Sequence, residues 1–281
     1  MVITQAKKTE ERAWLSEVSN IPLQQSIADL ETAFKNFFDS CKAKRKERKV
    51  GYPKFKKRTN SQSARLTRGG FSIKGDGVYL AKIGIVKPIW SRELPSEPSS
   101  VTIVKDCAHR YFLSFVVEVE PIQIDAKNQS VGIDLGIKTF AVMSNKEKAV
   151  SPDYVKIDRK IRQLQKKLAR QPKGSKRRDR TRIQIAKLHN QVADLRKDFL
   201  HKLSTKIVSD NQTIVLEDLN VSGMVKNRKL ARAISLQGWY EFRTLCEAKS
   251  EKFSRDFRVI SRWEPTSQTC SDCGYKWGKL D

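Results

Sequence analysis

Two carboxylates and two thiols carry most of the chemistry this sequence can offer. Asp134 stands near the end of an apolar run, Val131-Gly132-Ile133-Asp134-Leu135-Gly136. Glu217 closes another, Thr213-Ile214-Val215-Leu216-Glu217. A carboxylate buried on such a strand is costly without a counter-charge. Two acids on strands that pair in one sheet can instead share a divalent cation. Hard oxygen ligands suit Mg²⁺, which activates water and stabilises the leaving oxygen in phosphodiester hydrolysis. Spacing alone leaves turn-forming or salt-bridged acids open as alternatives, and Asp218 competes with Glu217 for the role.

The thiols are Cys270 and Cys273, in Cys270-Ser271-Asp272-Cys273-Gly274. This is the spacing of half a zinc ribbon, and a structural Zn²⁺ wants four ligands. No second cysteine pair follows before Asp281. The pair therefore reads as half of an interrupted ribbon, as a ribbon completed by another chain, or as a redox dithiol. The redox reading lacks the βαβ surroundings that such motifs occupy.

The elements that must position these groups follow from periodicity. Residues 131–143 read as strand, tight glycine turn, strand. A long basic helical region spans about 155–208, broken by Gln171-Pro172-Lys173-Gly174 into two helices with apolar stripes. Thr213–Leu216 reads as a buried strand, a helix covers about 235–254, and Val259-Ile260 reads as a last short strand. Upstream, Val78–Leu80 and Ile83–Val86 are short strands, and Val101–Val104 with Tyr111–Val119 read as a hairpin. These upstream strands suggest a small β-barrel or sheet. Residues 8–46 read as helices. Their stripe of Trp14, Leu15, Val18, Leu23, Ile27, Leu30, Phe34, Phe37 and Phe38 is expected to face a core.

Charge narrows the partners. The 281 residues hold 56 Lys and Arg against 31 Asp and Glu, a net charge of +25 with a pI near 10.0. Such a field concentrates polyanions and favours nucleic acid over other partners. Residues 42–68 are densely cationic, with Tyr52 and Phe55 interleaved. They read as a surface that tracks a phosphate backbone and stacks bases. Lys54, Lys56, Lys57 and Arg58 are its candidate contacts. Five cysteines, three of them isolated, do not form a disulfide framework. A reducing cytoplasm is expected, with no secretory signal and no apolar run long enough for a membrane span.

The motifs together resemble one family. Gly132-Ile133-Asp134-Leu135-Gly136, Leu216-Glu217-Asp218-Leu219-Asn220 and Thr266–Gly274 resemble those of the TnpB/OrfB proteins of insertion sequences. So do Gly51-Tyr52-Pro53-Lys54-Phe55-Lys56 and the segment ending Ser114–Glu120. These proteins are RuvC-like nucleases related to the type V CRISPR effectors. The resemblance implies an α+β multidomain chain. Residues 1–70 would be recognition helices and a basic segment, 71–124 the strands of a partial, wedge-like β-barrel. Residues 125–262 would form an RNase H-like (RuvC) domain with a basic helical hairpin insert, and 263–281 half a zinc ribbon. It implies Asp134 and Glu217 as Mg²⁺ ligands and catalytic residues, and Cys270 and Cys273 as half a Zn²⁺ site. It also implies DNA and a transposon-derived guide RNA as partners, in a prokaryotic cytoplasm at the nucleoid. Lys166, Lys167, Arg170, Lys176, Arg177, Arg178, Arg180 and Arg182 would contact the nucleic-acid backbone.

The family pattern also holds a second cysteine pair, a third catalytic carboxylate and an earlier first strand, which this sequence lacks. The expectation is a copy truncated at both ends that cleaves poorly alone. A nuclease-dead RNA-guided binder and a decayed remnant are the alternatives.

Overall fold

Three β-sheets and seven α-helices arise from these patterns in the computed structural model, which describes residues 2–44, 49–55, 61–122, 124–125, 129–264 and 275. The chain forms two units that meet in sequence at Val119 and Glu120.

The first unit opens with α1 (Val2–Ala6), a 3-10 turn at Glu10–Glu17, and α2 (Asn20–Cys41). Ser19 caps α2, its hydroxyl accepting from the Ile21 amide at 3.4 Å. The strands are β1 (Gln62–Thr67), β2 (Phe71–Lys74), β3 (Gly77–Leu80), β4 (Gly84–Val86), β5 (Ser100–Lys105) and β6 (Tyr111–Val116). They make two antiparallel sheets, ordered β1-β5-β6 and β2-β3-β4. Leu66, Val78, Leu80 and Val101 form one shared core, with Trp90 stacked on Phe115 at 5.6 Å. The described strands thus build two small sheets about one core, without a closed ring of pairing.

Two expectations change here. The cationic run at 42–68 contains β1, because Leu66 buries into that core and the strand pairs with β5 from Gln62 to Thr67. The apolar stripe over residues 14–38 is not core: none of its residues is buried. The first half of α2 meets the sheet, through Ile21 against the Leu66 cluster and an Arg65–Asp29 ion pair at 2.5 Å. Further along, Phe34 and Phe37 pack edge-on against Tyr52, both at 5.4 Å, a local aromatic cluster.

The second unit is built on one five-stranded sheet. Its strands are β7 (Ser130–Leu135), β8 (Ala141–Met143), β9 (Lys148–Ala149), β10 (Thr213–Glu217) and β11 (Asp256–Ile260), in the order β11-β10-β7-β8-β9. β7, β10 and β11 run parallel, β8 runs antiparallel to β7, and β9 runs antiparallel to β8. Helices α3 (Val155–Ala169) and α4 (Lys176–Asp210) lie between β9 and β10. After β10 come α5 (Val221–Met224), α6 (Ala231–Gln237) and α7 (Trp239–Lys252). The single helix expected near 235–254 is bent at Gly238, whose φ of 75° sits in the left-handed region that glycine adopts freely.

Alternation decides which face is buried. Val131 and Ile133 of β7 and Ile214 and Leu216 of β10 point into a core with Leu200 and Ile207 of α4 and Phe242 of α7. Phe140 stands edge-on to both Phe199 and Phe242, at 5.1 and 5.2 Å. Lys249 of α7 ties that helix to α4, donating to the Ser204 hydroxyl at 2.8 Å and the His201 carbonyl at 2.7 Å. No helix among the described residues is long and apolar enough to cross a membrane.

Candidate active site and nucleic-acid surface

The parallel pairing of β7 with β10 brings the two sequence-flagged acids together. The ladder sets Ile214 opposite Val131 and Leu216 opposite Ile133. One step further, Glu217 stands level with Asp134. Ile133 and Leu216 turn inward, so alternation sends Asp134 and Glu217 to the other face of the sheet. Neighbouring strands lie about 4.8 Å apart, so the two carboxylates are within reach of one small cation. Asp134 is exposed and Glu217 half-buried. The burial cost expected for Asp134 therefore does not arise.

Asp218 is used differently. It accepts from Arg243 Nη1 at 2.8 Å and from Arg262 Nε at 3.0 Å, with Arg262 Nη2 on the same oxygen. The Arg262 hydrogen bond, opposed by burial, together with the Arg243 hydrogen bond and the charges of both arginines, holds its carboxyl below the ordinary range. Asp218 is the salt-bridged acid of the pair, and neither Asp134 nor Glu217 is ion-paired among the described residues. Two free carboxylates side by side are a donor set that fits a hard divalent cation. Among the described residues no group of three His, Cys, Asp or Glu is gathered for a metal. Cys270 and Cys273 lie outside the described residues.

The turn after Asp134 is held tightly. The Gly136 amide donates to the Phe140 carbonyl at 3.1 Å. A β-carbon on Gly136 would sit 2.8 Å from the Thr139 carbonyl oxygen, so the turn needs glycine. Gln237 Nε2 donates to the Ile137 carbonyl at 3.1 Å, from the end of α6. Gln237, Arg243 and Arg262 carry no sequence signal, because their partners lie 100, 25 and 44 residues away.

Most of the cations singled out on the helical hairpin are exposed. Lys166, Lys167, Arg170, Lys176, Arg177, Arg180 and Arg182 are exposed, Arg182 lying 3.6 Å from Asp179. Arg178 is half-buried and caps α3, donating to the carbonyls of Leu168 at 2.5 Å and Gln171 at 3.0 Å. It is spent on structure, adding a side-chain donor at the end of the helix, where carbonyls lack full helical pairing. A groove of about 460 Å³ runs along α3, lined by Val155, Arg159, Arg162, Gln163 and Lys166. Asp158, buried on the same helix, takes both Arg162 of its own helix and Arg232 of α6. The Arg162 contact is a legible i, i+4 pair, whereas Arg232 is not. In the first unit Lys54 is exposed, and Lys56, Lys57 and Arg58 lie outside the described residues.

Known proteins place this arrangement. Residues 114–228 match the OrfB_IS605 family, described as a transposase, and residues 239–280 match the Cas12f1-like TNB domain. A Streptomyces pristinaespiralis protein carrying the name RNA-guided DNA endonuclease is 44% identical over 99% of this chain and 68% of its own length. The Escherichia coli protein InsQ, similarly named, is 31% identical over 96% of this chain and 69% of its own length. A Cas12f1 chain, solved with single guide RNA and target DNA, aligns over 77% of this chain and 52% of its own length, with a TM-score of 0.48 and 15% identity. The present chain belongs to the TnpB/OrfB family of insertion-sequence proteins.

Proposed function

We propose that this chain acts as an RNA-guided DNA endonuclease, and that its five-stranded sheet is the RNase H-like (RuvC) nuclease core. The observation that carries the reading is the placement of Asp134 and Glu217, level on adjacent parallel strands with free carboxylates. The strand order, an antiparallel meander β7-β8-β9 on one side and two strands parallel to β7 on the other, supports it. The names of the relatives supply the substrate class.

In this reading Asp134 and Glu217 hold Mg²⁺. The bound cation would supply Lewis-acid stabilisation of the phosphate and an activated water. The carboxylates would hold it near the C-terminal ends of two central strands, while the Gly136 turn and Asp218's arginines keep those strand ends in place. The exposed cations of α3 and α4 grip phosphates without reading sequence. Lys54, Lys56, Lys57 and Arg58 add backbone contacts from the first unit. Sequence is then read by base pairing between guide RNA and target, with the protein holding the duplex backbone. Cys270 and Cys273 would supply two thiolate ligands to a structural Zn²⁺. The site of action is the nucleoid, where the target DNA lies.

The test is to express the protein with its flanking genomic DNA, sequence the RNA that co-purifies, and supply DNA complementary to it with Mg²⁺. Cleavage that Asp134→Asn and Glu217→Gln each abolish, with nucleic-acid binding kept, is the expected result. Cleavage indifferent to both changes, or the absence of bound RNA, overturns the reading.

A further inference from the structure

We propose that Gln237 and Arg243, carried on the bent α6–α7 segment, are positioning residues that together set the spacing of Asp134 and Glu217. The inference rests on the metal-binding reading of that pair. The ladder between β7 and β10 ends at Leu216 and Ile133, one residue short of both carboxylates. Each carboxylate is still paired on its other side, Asp134 with Val142 and Glu217 with Ile260, but no ladder pair ties these two positions to each other, so their mutual spacing needs a further tie.

One rigid element reaches both ends. Ile234, Trp239, Phe242 and Cys246 are fully or almost fully buried and lock the bent segment against the sheet's core face. From its first half, Gln237 holds the Ile137 carbonyl, three residues past Asp134. From its second half, Arg243 holds the Asp218 carboxylate, one residue past Glu217. Gly238 sets the angle between the halves, and a β-carbon there would lie 3.0 Å from Arg196 Cδ, so the bend is packed on its outer side.

The choice of side chains argues against simple stabilisation. Gln237 is buried, and among the described residues its Oε1 has no partner. A half-satisfied buried amide is unfavourable where an apolar side chain would fit. Its retained bond is the one to the turn beside Asp134. Asp218 turns toward α7 on the core side, while Glu217 turns to the opposite face, so Arg243 fixes the strand end without touching the cation.

The experiment measures Mn²⁺ binding by electron paramagnetic resonance, and thermal melting, on the RNA-bound protein. The variants are Gln237→Met, which keeps the volume, Arg243→Ala and Arg243→Lys. Gln237→Met and Arg243→Ala are expected to weaken Mn²⁺ binding about tenfold, as partners behind metal ligands do. Arg243→Lys, which keeps a donor for Asp218, is expected to recover part of that loss. Lys249→Ala, which loosens α7 from α4 away from the strand ends, lowers the melting temperature and leaves Mn²⁺ affinity at the wild-type value. Wild-type Mn²⁺ affinity in Gln237→Met and Arg243→Ala overturns the inference, as does an equal loss in Lys249→Ala. Asp134→Asn and Glu217→Gln separate the two readings: if they too bind Mn²⁺ normally, the metal site itself is wrong.

Discussion

Glu217 stands one register step beyond the Leu216–Ile133 pair, level with Asp134 on the neighbouring strand. Two like charges at facing positions repel when nothing lies between them. Under the proposed metal-binding reading, a cation shared by the two carboxylates would relieve that repulsion. Asp134→Asn or Glu217→Gln is expected to raise the melting temperature slightly in the presence of a chelator. Mg²⁺ at about ten times its Kd is expected to stabilise the wild type by about 1.4 kcal/mol and each variant by much less. Calorimetry with and without Mg²⁺ checks both, and an equal Mg²⁺ effect in all three proteins contradicts the shared site.

The turn at Gly136 is expected to tolerate no side chain. Gly136→Ala forces a β-carbon to 2.8 Å from the Thr139 carbonyl. The cost is expected at about 1–3 kcal/mol, in the range of overpacked sites. Urea unfolding gives the number, and a midpoint unchanged from wild type would show that the turn opens freely.

Charge on the hairpin separates by role. Lys166, Arg170, Lys176 and Arg177 are exposed, so each change to Ala should lower nucleic-acid affinity and reduce the slope of log K against log salt by about one. Arg178→Ala should leave the slope nearly intact and instead loosen the end of α3, because its guanidinium serves the Leu168 and Gln171 carbonyls. Filter binding across a salt series, paired with circular dichroism, distinguishes the two outcomes.

Cys246 is expected to be chemically silent in the native protein. Burial pushes its thiol up to about 12 from an ordinary 9.0, with a small opposing effect from Lys249. The unfolded chain releases that proton first, so this contribution to stability is whole below pH 9.0 and fades as pH rises toward about 12. Iodoacetamide at neutral pH should label exposed Cys41 and Cys107 and reach Cys246 only after unfolding. Peptide mass spectrometry reads this directly, and rapid native labelling of Cys246 would show an open core.

The β5–β6 connection depends on an ionised Asp106. Its carboxylate accepts from the amides of Ala108 at 2.8 Å and Arg110 at 2.9 Å, and from Arg110 Nε at 2.7 Å. Burial pushes its carboxyl upward, but the Arg110 side chain and the two amides together outweigh that and leave it low. The stabilisation is therefore present above the ordinary carboxylate range and lost as pH falls through the depressed value. Asp106→Asn should remove about 1–2 kcal/mol at pH 7 and flatten this acid dependence. Melting curves from pH 7 down to pH 3 provide the check, and parallel curves for the two proteins would refute it.

Much of the second unit was legible because its signals are local. Alternation marks β7, β8 and β10, the helical period marks α3 and α4, and the strand-end positions single out Asp134 and Glu217. What escaped depends on distant partners. The stripe on α2 has a helical period, but period does not say whether anything covers it, and only Ile21 meets the sheet core. Cationic neighbours hid β1, whose inward Leu66 is a single residue. The choice between Glu217 and Asp218 was undecidable along the chain, because Arg243 and Arg262 reach Asp218 from two later elements. Arg178 looked like its neighbours until the end of α3 was placed beside it.

The order of strands in the sheet also sets the order in which the ribosome can make the site. β7, β8 and β9 are consecutive and pair as soon as they emerge, so Asp134 is placed early. Its partner strand β10 is synthesised only after the whole α3–α4 hairpin. Long-range parallel pairing of this kind is slow compared with local hairpins. A nascent chain therefore presents its polyanion-binding helices before the two carboxylates have met. Under the proposed function, RNA binding then precedes the ability to cut DNA.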